Sequence, residues 1–426
     1  MSFLSRRSFL QFGCTSVIGF ALGHRGIPSA FAAPNSSTAI AKNVIQIFLT
    51  GGPSTIDMWD LKPDAPAAIR GDFHPIETSV PSLQICEYLP KLAKQMHRAT
   101  IVRSVTHTIA EHTQGQAYLM TGNRPSPTAE SPSLGSLSAA LLPSRRGMPV
   151  NVSVGTVPSS GAGDLGANFN PLEVTPSDGR SGDRVRESIG LPDGFTRSDL
   201  ERRKDVLQRL DQKFDQLGST TLTRQLGQFQ QDSLEILRSD KIREALDIER
   251  EPESTRTLFG NSLVGRSALA ARRLVEADAR FVTVGFGDWD THDNNFTRLR
   301  NNLLPQLDQA LAALLEDLAS RDLLNETIVY CTGEFGRTPT VNTNLGRDHW
   351  SRTMSVLLAG GGFRSGSIYG STDKHGSDPD LNPCSPDDIS ATIFHQLGFA
   401  PEHQLQSASG RSIPLFRNGT VVSELL

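Results

Sequence analysis

Short runs of β-branched and apolar residues, each closed by glycine or proline, alternate along this chain with stretches of helical periodicity. Val44-Ile45-Gln46-Ile47-Phe48-Leu49 stops at Gly51-Gly52-Pro53, which predicts a buried strand ending in a turn. The same pattern predicts strands over 99–102, 150–154, 280–286, 327–332 and 355–359, the last closed by Gly360-Gly361-Gly362. Helical spacing is predicted over 89–96, over 303–321 with Pro305 near its start, and over 387–397. Residues 148–176 are rich in Gly, Pro, Ser and Asn and read as loop, and no internal repeat is visible. Between 198 and 279 the sequence turns charged and Leu/Gln-rich, and is expected to form a helical insertion or cap, solvated on its polar side. Strands alternating with helices predict an α/β fold of three layers, α/β/α, around a mostly parallel sheet. Ligands of such sheets gather beyond the carboxyl ends of the strands, and every polar cluster of interest lies near such an end.

The N-terminus changes the picture of where the chain works. Ser5-Arg6-Arg7-Ser8-Phe9-Leu10 precedes an apolar run over 12–22, and Ala30-Phe31-Ala32 offers small residues in alternate positions. Charged start, short apolar core and small-residue exit form a secretory signal over 1–33, and the twin arginine points to the Tat route, hence a periplasmic or extracellular chain. A retained membrane helix would need about 20 apolar residues, which this run lacks, and Cys14 lies too early for lipid attachment. Residues 34–426 are expected to form the mature domain, with no further membrane span. A formal net charge of -4 and no lysine/arginine block argue against a nucleic-acid partner. Cys86, Cys331 and Cys384 are too few for a disulfide framework and allow one bridge at most.

Five clusters carry candidate chemistry. Gly287-Asp288-Trp289-Asp290-Thr291-His292-Asp293 follows a strand, and the Asp288/His292 spacing lets a loop turn both side chains toward one divalent ion; the same residues could cap a helix. In Gly346-Arg347-Asp348-His349-Trp350, His349 is a ligand candidate oriented by the neighbouring carboxylate, or part of a surface loop. Glu334 in Thr332-Gly333-Glu334-Phe335-Gly336-Arg337 could ligate a metal, and Arg337 could grip an anionic group or stand in for a cation, unless the segment is a glycine turn with a surface ion pair. His107-Thr108-Ile109-Ala110-Glu111-His112-Thr113 supplies His107 as a metal candidate and His112 or Thr113 as nucleophile or base, against a polar helix start. Asp57, close after the first strand, is a metal candidate or a turn residue.

Taken in order, these segments resemble the alkaline phosphatase superfamily, which includes sulfatases and metal-dependent phosphoglycerate mutases. They look most like its Tat-exported, sulfatase-like family, domain of unknown function 1501. The resemblance spans nearly all of 34–426 outside the 198–279 block. It rests on Leu89-Pro90-Lys91-Leu92-Ala93, Leu119-Met120-Thr121-Gly122, the D-x-x-x-H of Asp288 and His292, Leu324-Asn325-Glu326-Thr327, Gly398 and Gly410-Arg411-Ser412. It implies an alkaline-phosphatase/sulfatase-like fold, a divalent metal at Asp288, His292 and His349, and hydrolysis of small or polymeric phosphate or sulfate esters. The departures are specific. Glu334-Phe335 stands where the superfamily has Asp-His, Thr50-Gly51 where an aspartate follows the first strand, and His112 at the nucleophile position with no Cys-x-Pro-x-Arg. A second metal position would therefore be rebuilt from Asp57, His107, His112 and Glu334. The alternative function is a non-catalytic binding or structural protein that keeps the fold and one ion.

Overall fold

The computed structural model describes residues 39–145, 147–174, 202 and 240–426. The signal segment and residues 198–239 of the expected insertion, apart from Arg202, lie outside the described residues. The six expected strands and two that were not expected, β4 in the stretch read as loop and the edge strand β8, form one eight-stranded sheet: β1 (Asn43–Leu49), β2 (Ala99–Val105), β3 (Asn151–Val154), β4 (Leu172–Val174), β5 (Phe281–Phe286), β6 (Thr327–Thr332), β7 (Met354–Ala359) and β8 (Ser367–Tyr369). Their order is β8-β2-β7-β6-β1-β5-β3-β4. β1 pairs in parallel with both β5 and β6, and β7 alone runs antiparallel to its neighbours.

Alternation along each strand divides the core into two layers, because successive side chains leave opposite faces of a sheet. Ile45, Ile47 and Leu49 of β1 face one apolar layer, and Val44 and Phe48 face the other. Val329 and Cys331 of β6 join the first, Ile328 and Tyr330 the second. The helices α1 (His112–Thr121), α2 (Leu134–Leu141), α3 (Leu263–Glu276), α4 (Leu304–Ser320) and α5 (Pro386–Gln396) cover these faces. Buried residues of α3 and α4 complete the first layer, those of α1, α2 and α5 the second. Both faces of the sheet are covered, which is why its strands read as continuous apolar runs.

The helix starts follow local rules. Ser385 caps α5 through a capping box with Asp388, with Pro386 at the first position. Glu111 caps α1 by accepting from the backbone N–H groups of Thr113 and Gln114. Of the 198–279 block, the described helix α3 packs beneath the sheet against α4 and β5. Cys86, Cys331 and Cys384 are buried free thiols, with no bridge among them. Among the described residues no helix is long and apolar enough to cross a membrane.

Candidate metal centre

The carboxyl ends of β1, β2, β5 and β6 lie along one rim, and the antiparallel β7 begins there, since Met354 pairs with Val105 at the end of β2. The loops leaving these ends are pinned to one another. Gly51, just past β1, sits at φ 118°, and a Cβ there would fall 2.5 Å from the Asp290 nitrogen. Glycine is what lets the first turn touch the Asp290 loop. Trp289 is buried and donates its backbone N–H to the Thr50 carbonyl at 3.2 Å. Gly346 lies so close to the His292 carbonyl that a Cβ would stand 1.9 Å away, and the Arg347 N–H donates to Thr291 O at 3.1 Å.

This packing brings three imidazoles to one carboxylate. His292 Nε2 lies 2.9 Å from His349 Nε2 and 3.1 Å from Asp290 Oδ1. His349 Nε2 is 3.3 Å from Asp290 Oδ1, and His112 Nε2 is 3.4 Å from Asp290 Oδ2. Donor atoms from His112, Asp290 and His349 all lie within 4.8 Å of one another. The outward nitrogens are equally well defined. His112 Nδ1 is 2.9 Å from Glu334 Oε1, His292 Nδ1 2.7 Å from Asp348 Oδ1, and His349 Nδ1 2.9 Å from the Ala110 carbonyl. Carboxylates and a carbonyl can only accept, so each Nδ1 carries the hydrogen and donates it. In the neutral tautomer Nε2 keeps its lone pair, so His292 and His349 face each other at 2.9 Å while His112 Nε2 stands 3.4 Å from the other Asp290 oxygen.

Asp290 is held from behind by Arg337. The Arg337 side chain is fully buried; its Nη2 reaches Asp290 Oδ1 at 2.5 Å, its Nε donates to Gly52 O at 2.7 Å, and its Nη1 to Arg347 O at 3.0 Å. Partial burial raises the Asp290 carboxyl, but the Arg337 guanidinium and the adjacent imidazoles outweigh it and hold the pKa down at about 2. Burial lowers the His349 pKa, and the Arg337 charge adds to that. Both shifts favour an ionised carboxylate beside neutral imidazole, the protonation states a cation requires. Glu334 is wholly buried; its Oε1 accepts from Gly51 N at 2.8 Å, from His112 and from Gln116 Nε2 at 3.2 Å, while Oε2 has no partner.

The expected site residues therefore separate into two groups. His112, His292, His349, Glu334 and Arg337 come together, whereas Asp57, His107, Asp288 and Thr113 do not join the cluster. Asp57 is buried against Arg347, taking Nε and Nη2 at 2.8 Å each, and also accepts from Ser54 Oγ and Asn295 Nδ2. Its oxygens are occupied by a bidentate ion pair. His107 is buried with its ring edge-to-face on Tyr118, and burial lowers its pKa to about 4. Asp288 is exposed at φ 72°, with its carbonyl accepting from Arg298 Nη2. Thr113 is exposed in the first turn of α1.

Asp290 is the carboxylate that the D-x-x-x-H spacing passes over. In an extended loop Asp290 and His292 share a face, and the positive φ at Asp288 takes the earlier aspartate out of that alternation. Asp348 likewise orients His292 instead of its neighbour His349, with its Oδ1 2.7 Å from His292 Nδ1.

A family model described as "Protein of unknown function (DUF1501)" matches residues 41–426. No curated protein matches the chain. Among solved structures it is similar to alkaline phosphatase from the Antarctic bacterium TAB5, at 13% identity and a TM-score of 0.40, covering 84% of this chain and 98% of that one. It is also similar to a protein in the alkaline phosphatase superfamily from Vibrio parahaemolyticus, at 13% identity and a TM-score of 0.36, over 88% and 75% of the two chains. A third is the lipoteichoic acid synthase LtaP from Listeria monocytogenes, at 10% identity and a TM-score of 0.33, over 85% and 73%. Likenesses this distant carry no residue's role across.

Proposed function

We propose that this chain, which belongs to the DUF1501 family, is an exported hydrolase of phosphate or sulfate esters that works with a divalent cation held by His112, Asp290, His292 and His349. The observation that carries the metal reading is the approach of three Nε2 atoms to the one Asp290 carboxylate, with the three Nδ1 atoms all facing acceptors elsewhere. Facing lone pairs at 2.9 Å repel unless a proton or a metal cation lies between them, and the ionised Asp290 beside them favours a cation. Metal-bound histidines typically donate the second ring nitrogen to a carboxylate or carbonyl, as all three do here. The spacings of 2.9–3.4 Å between donors also suit the edges of a coordination shell with bonds of about 2.0–2.2 Å. A cation there would polarise an ester oxygen and stabilise charge developing on it.

The protein's own groups divide the remaining work. Arg337 holds Asp290 ionised and in place, Glu334 and Asp348 fix two imidazoles, and the half-exposed faces of Asp290 and His292 leave the rim open to an anionic ester. Thr113 lies one residue from His112 but outside the cluster, with its side chain bonded to Glu111, and both nitrogens of His112 are engaged, so this reading assigns no side-chain nucleophile. Residues 1–33 would direct export by the Tat route.

One observation favours a non-catalytic reading. Arg337 spends its donors on Asp290 and on backbone carbonyls, and Glu111 already occupies the first N–H groups of α1, so neither of these is free to grip the ester. Assays of the purified chain with aryl phosphates, phosphodiesters and aryl sulfates separate the two. The hydrolase reading expects turnover that is lost in Asp290→Asn and His292→Ala with folding intact. Bound metal with no turnover on any of these esters would establish the binding role.

A further inference from the structure

The hydrolase reading leaves the number and kind of ions open. We propose that the rim takes one ion only, of the nitrogen-preferring class typified by Zn2+ and Co2+, because the Arg337 guanidinium already fills the second cationic position beside Asp290. This inference rests on the metal reading of the same site.

The donor set fixes the class of ion. Three imidazole Nε2 atoms and one carboxylate are a nitrogen-dominated set, which suits zinc and its late-transition neighbours. Calcium and magnesium take oxygen donors, and within this cluster of described residues Asp290 alone supplies a carboxylate.

Arg337 fixes the number. Its side chain has no exposure, its Nη2 is 2.5 Å from Asp290 Oδ1, and its other donors are spent on the carbonyls of Gly51, Gly52 and Arg347. Those carbonyls belong to loops that the fold pins together, so the guanidinium cannot withdraw to admit an ion. A dication sharing Asp290 from that side would face a buried positive charge at short range, with little water to screen it.

The charge balance agrees. Asp290, Glu334 and Asp348 bring three negative charges to the imidazoles and Arg337 brings one positive, leaving two negative charges for neutral histidines to share. One dication cancels them, and a second would overshoot. Of the other acids nearby, Asp57 is neutralised by Arg347, Glu111 is exposed and spends its carboxylate on the first N–H groups of α1, and Asp288 and Asp293 are exposed to solvent.

The test is titration of the metal-stripped full chain with Zn2+, Co2+, Mg2+ and Ca2+ by calorimetry, with elemental analysis of the saturated protein. One Zn2+ or one Co2+ per chain is expected, displaced by neither Mg2+ nor Ca2+. Asp290→Asn and His349→Gln should each weaken Zn2+ binding by more than about 100-fold, beyond the loss seen when only an outer partner is removed. Two Zn2+ per chain would overturn the inference and leave the hydrolase reading standing. Preferential Mg2+ or Ca2+ binding would overturn the ion class. Unchanged Zn2+ affinity in both folded variants would overturn the placement, and failure to bind any of the four ions would remove the metal reading itself. Should a variant not fold, the stoichiometry of the unaltered chain decides the matter alone.

Discussion

An imidazole serves as a ligand when its second nitrogen is already bound, and in this chain three different partners do that work. The most buried of them is Glu334, which holds His112 while also accepting from the Gly51 backbone and Gln116. Its replacement by Gln keeps the shape and an acceptor oxygen but removes the charge. Glu334→Gln is expected to weaken Zn2+ binding by about 10- to 100-fold, the usual cost of losing such a partner; calorimetry on the folded variant measures it, and an unchanged affinity would deny Glu334 this role. His107 behaves differently because it is buried without an ion in view. Its pKa falls from 6.5 to about 4 through burial. The folded state therefore keeps it neutral while the unfolded chain takes up a proton, so stability is present above pH 6.5 and is lost as the pH falls toward 4. The shift corresponds to at most about 3 kcal/mol. Urea melts across this window should show His107→Leu losing less stability with acid than the unaltered chain, and parallel losses would contradict the assignment.

At the level of elements, the site is made by strand ends and the glycines that let their loops touch. Gly51 combines a left-handed φ with the near contact to Asp290, so Gly51→Ala is expected to cost more than about 1 kcal/mol and to displace the Asp290 loop. Thermal melts and Zn2+ titration should show both losses together; a stable variant with intact binding would mean that the loop does not depend on that approach. Six of the eight strands were legible in the sequence; the three-residue edge strands β4 and β8 were not. The run at 44–49 and the structured β1 differ by one residue, and 327–332 coincides with β6, because a strand buried on both faces leaves an unbroken apolar signature. The clustering of His292, His349 and Glu334 at one rim was also legible, since polar segments after parallel strands have a common destination. What the sequence could not supply was the choice among neighbouring acids. Asp288 and Asp290 differ only in a backbone torsion, and Asp57 is withdrawn by Arg347, a partner 290 residues away. Such choices depend on tertiary contacts that no local pattern carries.

For the whole molecule, the rim ties segments near residues 51, 112, 290, 334 and 349 to one another, so an ion bound there should act on global stability. A ligand that binds only the folded chain, present at about 100 times its Kd, adds about 2.7 kcal/mol. Denaturant melts with Zn2+ and with chelator should differ by roughly that amount, and Asp290→Asn should abolish the difference. Equal stabilisation of the variant would place the ion elsewhere. The most direct test is the anomalous scattering of a zinc-loaded crystal. The account predicts one peak per chain, within bonding distance of the Nε2 atoms of His112, His292 and His349 and of an Asp290 carboxylate oxygen. Density at a different set of side chains, or three imidazoles converging with no peak between them, would contradict it.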